Sequence, residues 1–294
     1  MLEPLCPICT HPARYWQTIR DHKLWDCANC GHRFAIAPQP DSHVDVVYGD
    51  HYFTGGGAGY TNYAEQSELL RKRGHYYASI ADAFVPARGA ETRRLVDVGA
   101  AAGFLLRGWI DKGWTGWGVE PNPSMVALAA EQSLDVRREA FESMAIAEAG
   151  QIDCVAMVQV LPHFVEPMRA LRQAWTLLRP GGILLIEAWD RDSRIARVLG
   201  PRWHEYSPPS VLNWFTRESL SYATAQIGFE FETHRRVVRW IDAGHAKSLL
   251  AHSNQGKGAL IRLVNGVASL MPNRLKIPYP GDDLFYAVYR KPAR

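Results

Sequence analysis

The sequence predicts an α/β protein with a doubly wound, mostly parallel sheet, preceded by a small metal-binding module. Three observations carry that reading. Short apolar runs alternate with helical stretches from residue 94 onward, a glycine-bearing turn follows the first run, and two C-x-x-C pairs stand near the start. At 294 residues, with 47% hydrophobic and 21% charged, the chain can bury a sizeable core as one large domain plus an appendage.

The appendage comes first. Cys6-Pro7-Ile8-Cys9 and Cys27-Ala28-Asn29-Cys30 are separated by 17 residues, a spacing that lets two knuckles offer four thiolates to one tetrahedral ion. Gly31 suits the left-handed backbone of such a knuckle. Residues 14–17 and 24–26 alternate like two short strands, and residues 1–40 together resemble a zinc ribbon. Two disulfides would need an oxidising compartment, and a redox pair would not need a second copy. Four thiolates leave no open position on the metal, so a structural Zn2+ held by Cys6, Cys9, Cys27 and Cys30 is expected. His32 reads as a surface residue and Cys154 as a buried small hydrophobe.

Residues 38–42 form a proline-punctuated link. The stretch from Tyr48 to Tyr63 is rich in glycine and tyrosine and reads as a loop, with a helix over 64–84, so that 41–93 forms a cover. Strands are expected at 95–98, 115–120, 135–138, 154–158 and 183–187, with helices at 103–112, 123–132, 142–149 and 166–178 between them. Such alternation implies parallel pairing through right-handed crossovers. Arg179-Pro180-Gly181-Gly182 stops the last of these helices. Beyond lie a helix at 217–227, a strand at 228–233, an amphipathic helical region at 245–270 and a final strand at 284–289. The core is thus 94–294, with insertions at 190–216 and 241–281.

The formal charge is +3 from 33 basic and 30 acidic residues, which argues against a protein that holds nucleic acid by bulk charge. The excess is concentrated in residues 191–294, with 16 basic and 8 acidic side chains, so an anionic substrate stays open. No run approaches the ~18 apolar residues of a membrane span, and the first residues lack the layout of a signal peptide. The reading is cytoplasmic and reducing.

Asp97-Val98-Gly99-Ala100-Ala101-Ala102-Gly103 follows the first core strand and opens a helix, where glycines admit close backbone approach and free N–H groups face a ligand. Glu120, 23 residues beyond Asp97, ends the second strand and can accept ribose hydroxyls. With Gly118-Val119-Glu120-Pro121 and Leu178-Arg179-Pro180-Gly181-Gly182, these motifs resemble the class I S-adenosylmethionine-dependent methyltransferases over residues 94 to about 234. The resemblance implies a seven-stranded Rossmann-like sheet whose last strand, Leu284–Arg290, runs antiparallel. It also implies a cofactor site. Asp97 would lie at the methionine amino end, and Gly99, Ala101, Gly103 and Phe104 against the cofactor. Glu120 would bind the ribose; Pro121, Met125, Phe141 and Glu142 would border adenine; Gln159 and Val160 would meet the sulfur end. Tyr60 and Tyr63 would cover the cofactor. Ala101 replaces the middle glycine of the motif, which is tolerable where φ is negative.

The acceptor is expected beyond the fourth and fifth core strands. His163 is the first candidate for a base, since imidazole takes a proton near neutral pH, the alternative being a histidine that only fixes its loop. His204 and Tyr206 could bind acceptor or pack a lid. A ribbon before this core resembles bacterial methyltransferases of sugars and natural-product intermediates, so a small polar metabolite or sugar is the expected acceptor. Zinc-containing methyltransferases of ribosomal RNA guanine are the runner-up, set back by only four basic residues in the first 40. A cofactor-sensing scaffold that recruits a partner is the alternative of another class. The 245–270 region reads as a cover or a homodimer contact.

Overall fold

A computed structural model of the chain describes residues 3–38, 43–53, 63–86, 92–237, 240–242, 276–278 and 281–293. The ribbon comprises β1 (Ala13–Ile19), β2 (His22–Cys27) and β3 (Arg33–Ala35). Arg20 and Asp21, both with positive φ (47° and 64°), make the tight turn that joins β1 to β2. Two short helices follow, α1 (His43–Val47) and α2 (Asp50–Phe53), and then the long α3 (Ser67–Phe84).

The core then runs β4 (Arg94–Val98), α4 (Phe104–Asp111), β5 (Thr115–Val119), α5 (Pro123–Glu131), β6 (Val136–Arg137), β7 (Ile152–Val158), α6 (Pro167–Leu177) and β8 (Leu178–Trp189). After these come α7 (Arg194–Leu199), β9 (Asn213–Trp214), α8 (Arg217–Ile227), β10 (Glu230–Arg236), β11 (Trp240–Asp242), β12 (Lys276–Pro278) and β13 (Leu284–Arg290). The main sheet has the order β10-β13-β8-β7-β4-β5-β6. β13 is antiparallel to both its neighbours, while β8, β7, β4, β5 and β6 pair in parallel, as the motifs imply. The central strands are buried on both faces, so they read as unbroken apolar runs. Cys154 lies among them, fully buried.

The helices α3 and α4 cross in backbone contact. A Cβ on Gly108 would lie 2.1 Å from the Arg71 carbonyl oxygen, and one on Gly74 would lie 2.2 Å from that of Leu105. Only glycine at both places lets α3 pack this closely on the helix that opens the first motif.

Two expectations are corrected. Residues 142–149 form turns, not a helix. Gln173 donates to the Met144 carbonyl at 2.9 Å, and Glu148 is drawn aside by Arg94, Trp117 and Arg137. His32 is not at the surface but fully buried between ribbon and core. There, desolvation drives its pKa down to about 3. β9, from the 190–216 insertion, adds a fourth strand to the ribbon sheet beside β3. The helical region expected at 245–270 lies outside the described residues, as does Tyr60.

Candidate functional site

Parallel strands deliver their carboxyl ends to one edge of the sheet, where the following loops gather the polar groups. Asp97, near the end of β4, is 2% exposed, and its Oδ2 has no hydrogen-bond partner among the described residues. Burial first, and then the charge of Glu120, raise its pKa to about 8. Glu120, just beyond β5 and 5% exposed, accepts hydrogen bonds from the backbone N–H of Ala101 (3.0 Å) and of Asn122 (2.9 Å). Those bonds oppose a larger desolvation, which carries its pKa up to about 7.

Between the two carboxyls runs the turn 99–103, with φ of +70° at Gly99, +47° at Ala101 and +74° at Gly103. The alanine therefore adopts the left-handed backbone of the glycine it replaces, not the negative φ at which a methyl group is tolerable, at a cost of roughly 1–2 kcal/mol. The bond from its N–H to Glu120 helps hold it there. A Cβ on Gly99 would come 2.7 Å from Val160 Cγ2, so the turn lies directly under Val160, two residues beyond β7. Gln159 has φ +57°, and its buried Nε2 has no partner among the described residues.

An orphaned acceptor and an orphaned donor thus lie at the tips of the adjacent strands β4 and β7, beside a turn whose N–H groups at Gly99, Ala100, Ala101 and Gly103 are not free, as the sequence suggests, but bonded to Val119, Glu120 and Ala100. Such a set fits the charged amino-acid end of S-adenosylmethionine, with Glu120 placed for its ribose. Phe104 and Met125 are buried beside the turn with Phe53 and Tyr63. Tyr63 stacks on Phe104 with ring centroids 5.4 Å apart, so it covers the start of α4. Pro121 is half-buried and Phe141 buried. Glu142 is engaged elsewhere: its Oε1 accepts from the N–H of Glu166 at 3.0 Å, and burial raises its pKa.

Sequence reasoning missed Asn122, which caps α5 by accepting from Met125 N–H at 2.9 Å. Its Nδ2 donates to the Tyr48 carbonyl at 3.0 Å, which docks the 43–53 segment on the cleft. The Asn-Pro pair at the start of α5 was the available signal. Glu187, which the sequence offers with Trp189 and Asp190 as an acceptor-side candidate at the end of the fifth core strand, is instead fully buried in β8 and pairs with Arg73 of α3.

His163 ends a one-turn 3-10 helix, Leu161–His163, just beyond β7. Its Nδ1 lies 2.7 Å from the Ser210 carbonyl and 2.9 Å from the Tyr48 hydroxyl, which itself donates to Ser210. A carbonyl can only accept, so Nδ1 carries the proton and Nε2 the lone pair. Burial lowers the pKa, against the pull of the Ser210 and Gln159 carbonyls. The ring is therefore neutral near pH 7. His204 pairs with Glu205 at 3.3 Å and sets its ring edge-on to Trp189. Tyr206 is 5% exposed, is wedged among Trp16, Trp203 and Trp214, and accepts a hydrogen bond from Arg33 at 2.6 Å. Those contacts make it a packing residue between ribbon and core.

The four ribbon cysteines bring their Sγ atoms within 4.8 Å of one another, with Cys6–Cys30 at 3.6 Å and Cys9–Cys27 at 3.4 Å. A tetrahedral zinc with Zn–S bonds of ~2.3 Å sets sulfurs about 3.8 Å apart, so the cluster fits a structural Zn2+ with little adjustment. The hydrogen bond from Cys30 draws the Cys6 thiol down to about 5. Among the described residues no helix is long and apolar enough to cross a membrane.

Residues 69–234, more than half of the chain, match the family described as a methyltransferase domain. The chain belongs to that family, and its fold is that of class I S-adenosylmethionine-dependent methyltransferases. Among curated relatives, a ubiquinone biosynthesis O-methyltransferase of Alkalilimnicola ehrlichii is 24% identical over 151 residues, covering 45% of this chain and 61% of the relative. A protein of the same name from Xanthomonas axonopodis pv. citri is 27% identical over 167 residues, covering 50% and 70%. The chain thus spans under two thirds of the first of these relatives and slightly more of the second.

Solved structures agree on the fold. A chain from the complex between the Haloferax volcanii Trm112 methyltransferase activator and a methyltransferase superposes with TM-score 0.55 at 16% identity, over 79% of this chain and 95% of that one. The YcgJ protein of Bacillus subtilis gives 0.53 at 15%, over 75% and 99%.

Proposed function

We propose that this chain transfers a methyl group from S-adenosylmethionine to a hydroxyl of a small polar acceptor: a metabolite, a sugar or a natural-product biosynthetic intermediate. The observation that carries the proposal is the pair of orphaned buried atoms, Asp97 Oδ2 and Gln159 Nε2, beside the left-handed turn. The cofactor supplies an electrophilic methyl group on a sulfonium. Asp97 would hold its ammonium, Glu120 its ribose hydroxyls, and Pro121, Met125 and Phe141 would border its adenine.

Oxygen as the methylated atom is supported by the names of the relatives, which are O-methyltransferases. A hydroxyl must lose its proton as the bond to carbon forms, so a neutral base is needed beside the acceptor. His163 meets that need, because Ser210 fixes the proton on Nδ1 and leaves Nε2 to receive one. The loop 159–164 places the ring next to the strand tips, and the 43–53 segment, docked through Asn122 and Tyr48, screens the site from water.

The test is a panel of hydroxylated small molecules, matching amines and ribosomal RNA, scored for release of S-adenosylhomocysteine. A hydroxyl acceptor should be turned over, with His163→Gln slowing kcat by ~10²–10⁴ while S-adenosylhomocysteine affinity holds. Turnover of the amines alone, or of RNA alone, would overturn the proposal.

A further inference from the structure

The ribbon reaches the transfer site through two residues. The His32 ring, one position past Gly31 of the second knuckle, is buried and stacks on Phe34, with its centroid 4.7 Å from that of Phe215. Its Nε2 donates to Asn213 Oδ1 at 3.0 Å. The amide nitrogen of Asn213 in turn donates to the Phe164 carbonyl at 2.7 Å and meets the Pro162 carbonyl at 3.4 Å. Those two carbonyls flank His163.

A second path runs through the backbone. Ala35 N–H donates to the Leu212 carbonyl at 2.8 Å, and Leu212 N–H donates to the Pro162 carbonyl at 3.0 Å. Two residues earlier, the Ser210 carbonyl accepts from His163 Nδ1. The segment 210–214 is therefore gripped on one edge by the ribbon and on the other by the turn that carries His163.

We infer that the ribbon is a positioning device for the transfer site: the His32–Asn213 bridge fixes the 161–164 turn and, through Ser210, the Nδ1–H tautomer of His163. Both are positioning residues. The catalytic consequence rests on the base role proposed for His163, whereas the coupling itself does not. Removing either partner strands buried groups that can be satisfied only by rearranging the turn.

The experiment is nitrogen NMR of the histidine-labelled, zinc-loaded full chain, with the His163 ring assigned from His163→Gln. Asn213→Ala removes the bridge. His32→Phe keeps a ring between Phe34 and Phe215 but removes the donor, and His32→Gln restores one. In the wild type the two ring nitrogens should show the separate shifts of a fixed Nδ1–H tautomer. Both Asn213→Ala and His32→Phe should pull these shifts toward a tautomer average, with partial recovery in His32→Gln. S-adenosylhomocysteine affinity should stay within about twofold, as for a site that does not touch the cofactor cradle.

Unchanged His163 shifts in His32→Phe and Asn213→Ala overturn the inference, and His32→Phe decides alone if Asn213→Ala does not fold. Shifted signals in a chain whose His163→Gln variant keeps full turnover support the positioning and discard the base. Unchanged signals with an inactive His163→Gln variant do the reverse.

Discussion

At the scale of the residue, the proposed cofactor site buries two carboxyls and so raises the pH at which they ionise. Asp97 titrates near 8 and Glu120 near 7, both chiefly through burial. Below those values the free cleft carries protons that an incoming ammonium must displace from Asp97. Binding of S-adenosylhomocysteine should therefore release protons, and its affinity should climb as pH rises from about 6 toward 8, where a raised carboxyl begins to ionise unaided. Titration calorimetry in two buffers of different ionisation enthalpy checks this. An affinity flat across that range would contradict the assignment of Asp97. The residues Asp97, Gly99, Gly103 and Glu120 could be read from the sequence because the motif fixes both type and spacing. The left-handed φ of Ala101 could not, since an alanine in glycine's place says nothing of whether the backbone follows. Nor could the burial of His32, whose partner Asn213 lies 181 residues away.

Elements were legible where one periodicity dominated and misread where side chains overrode it. The five parallel strands and the reversed β13 stand where apolar runs and turn residues put them. Residues 142–149 had helical composition, yet Gln173 takes the Met144 carbonyl that a helix would use, while Arg94 and Arg137 hold the Glu148 carboxylate. The crossing of α3 and α4 was invisible in sequence, for a glycine inside a helix ordinarily reads as a weak point. Gly108→Ala tests that crossing. The alanine raises helix propensity by about 1 kcal/mol, but its Cβ meets the Arg71 carbonyl, which cannot give way without parting the helices. A net loss of up to about 2 kcal/mol in denaturant unfolding is expected, the overpacking cost less the propensity gain. A stabilised variant would show that the helices do not pack this closely.

For the whole molecule, ribbon and core behave as one body. Cys6, Ile8, Cys27 and Phe34 belong to the same buried cluster as Val96, Val155, Phe215 and Phe285, and β9 joins the ribbon sheet to the core insertion. Unfolding should then be a single transition. Removing zinc with a chelator should lower its midpoint, not erase the first of two steps. Differential scanning calorimetry distinguishes the two.

The central claim is that the tips of β4 and β5 hold S-adenosylmethionine, and calorimetric titration of S-adenosylhomocysteine into the wild type and Glu120→Ala tests it most directly. The wild type should bind one equivalent. The variant, which leaves the ribose hydroxyls without their acceptor at a cost of about 1–3 kcal/mol, should bind at least about fivefold more weakly. Equal affinity in the two, or no binding by the wild type, would contradict the account.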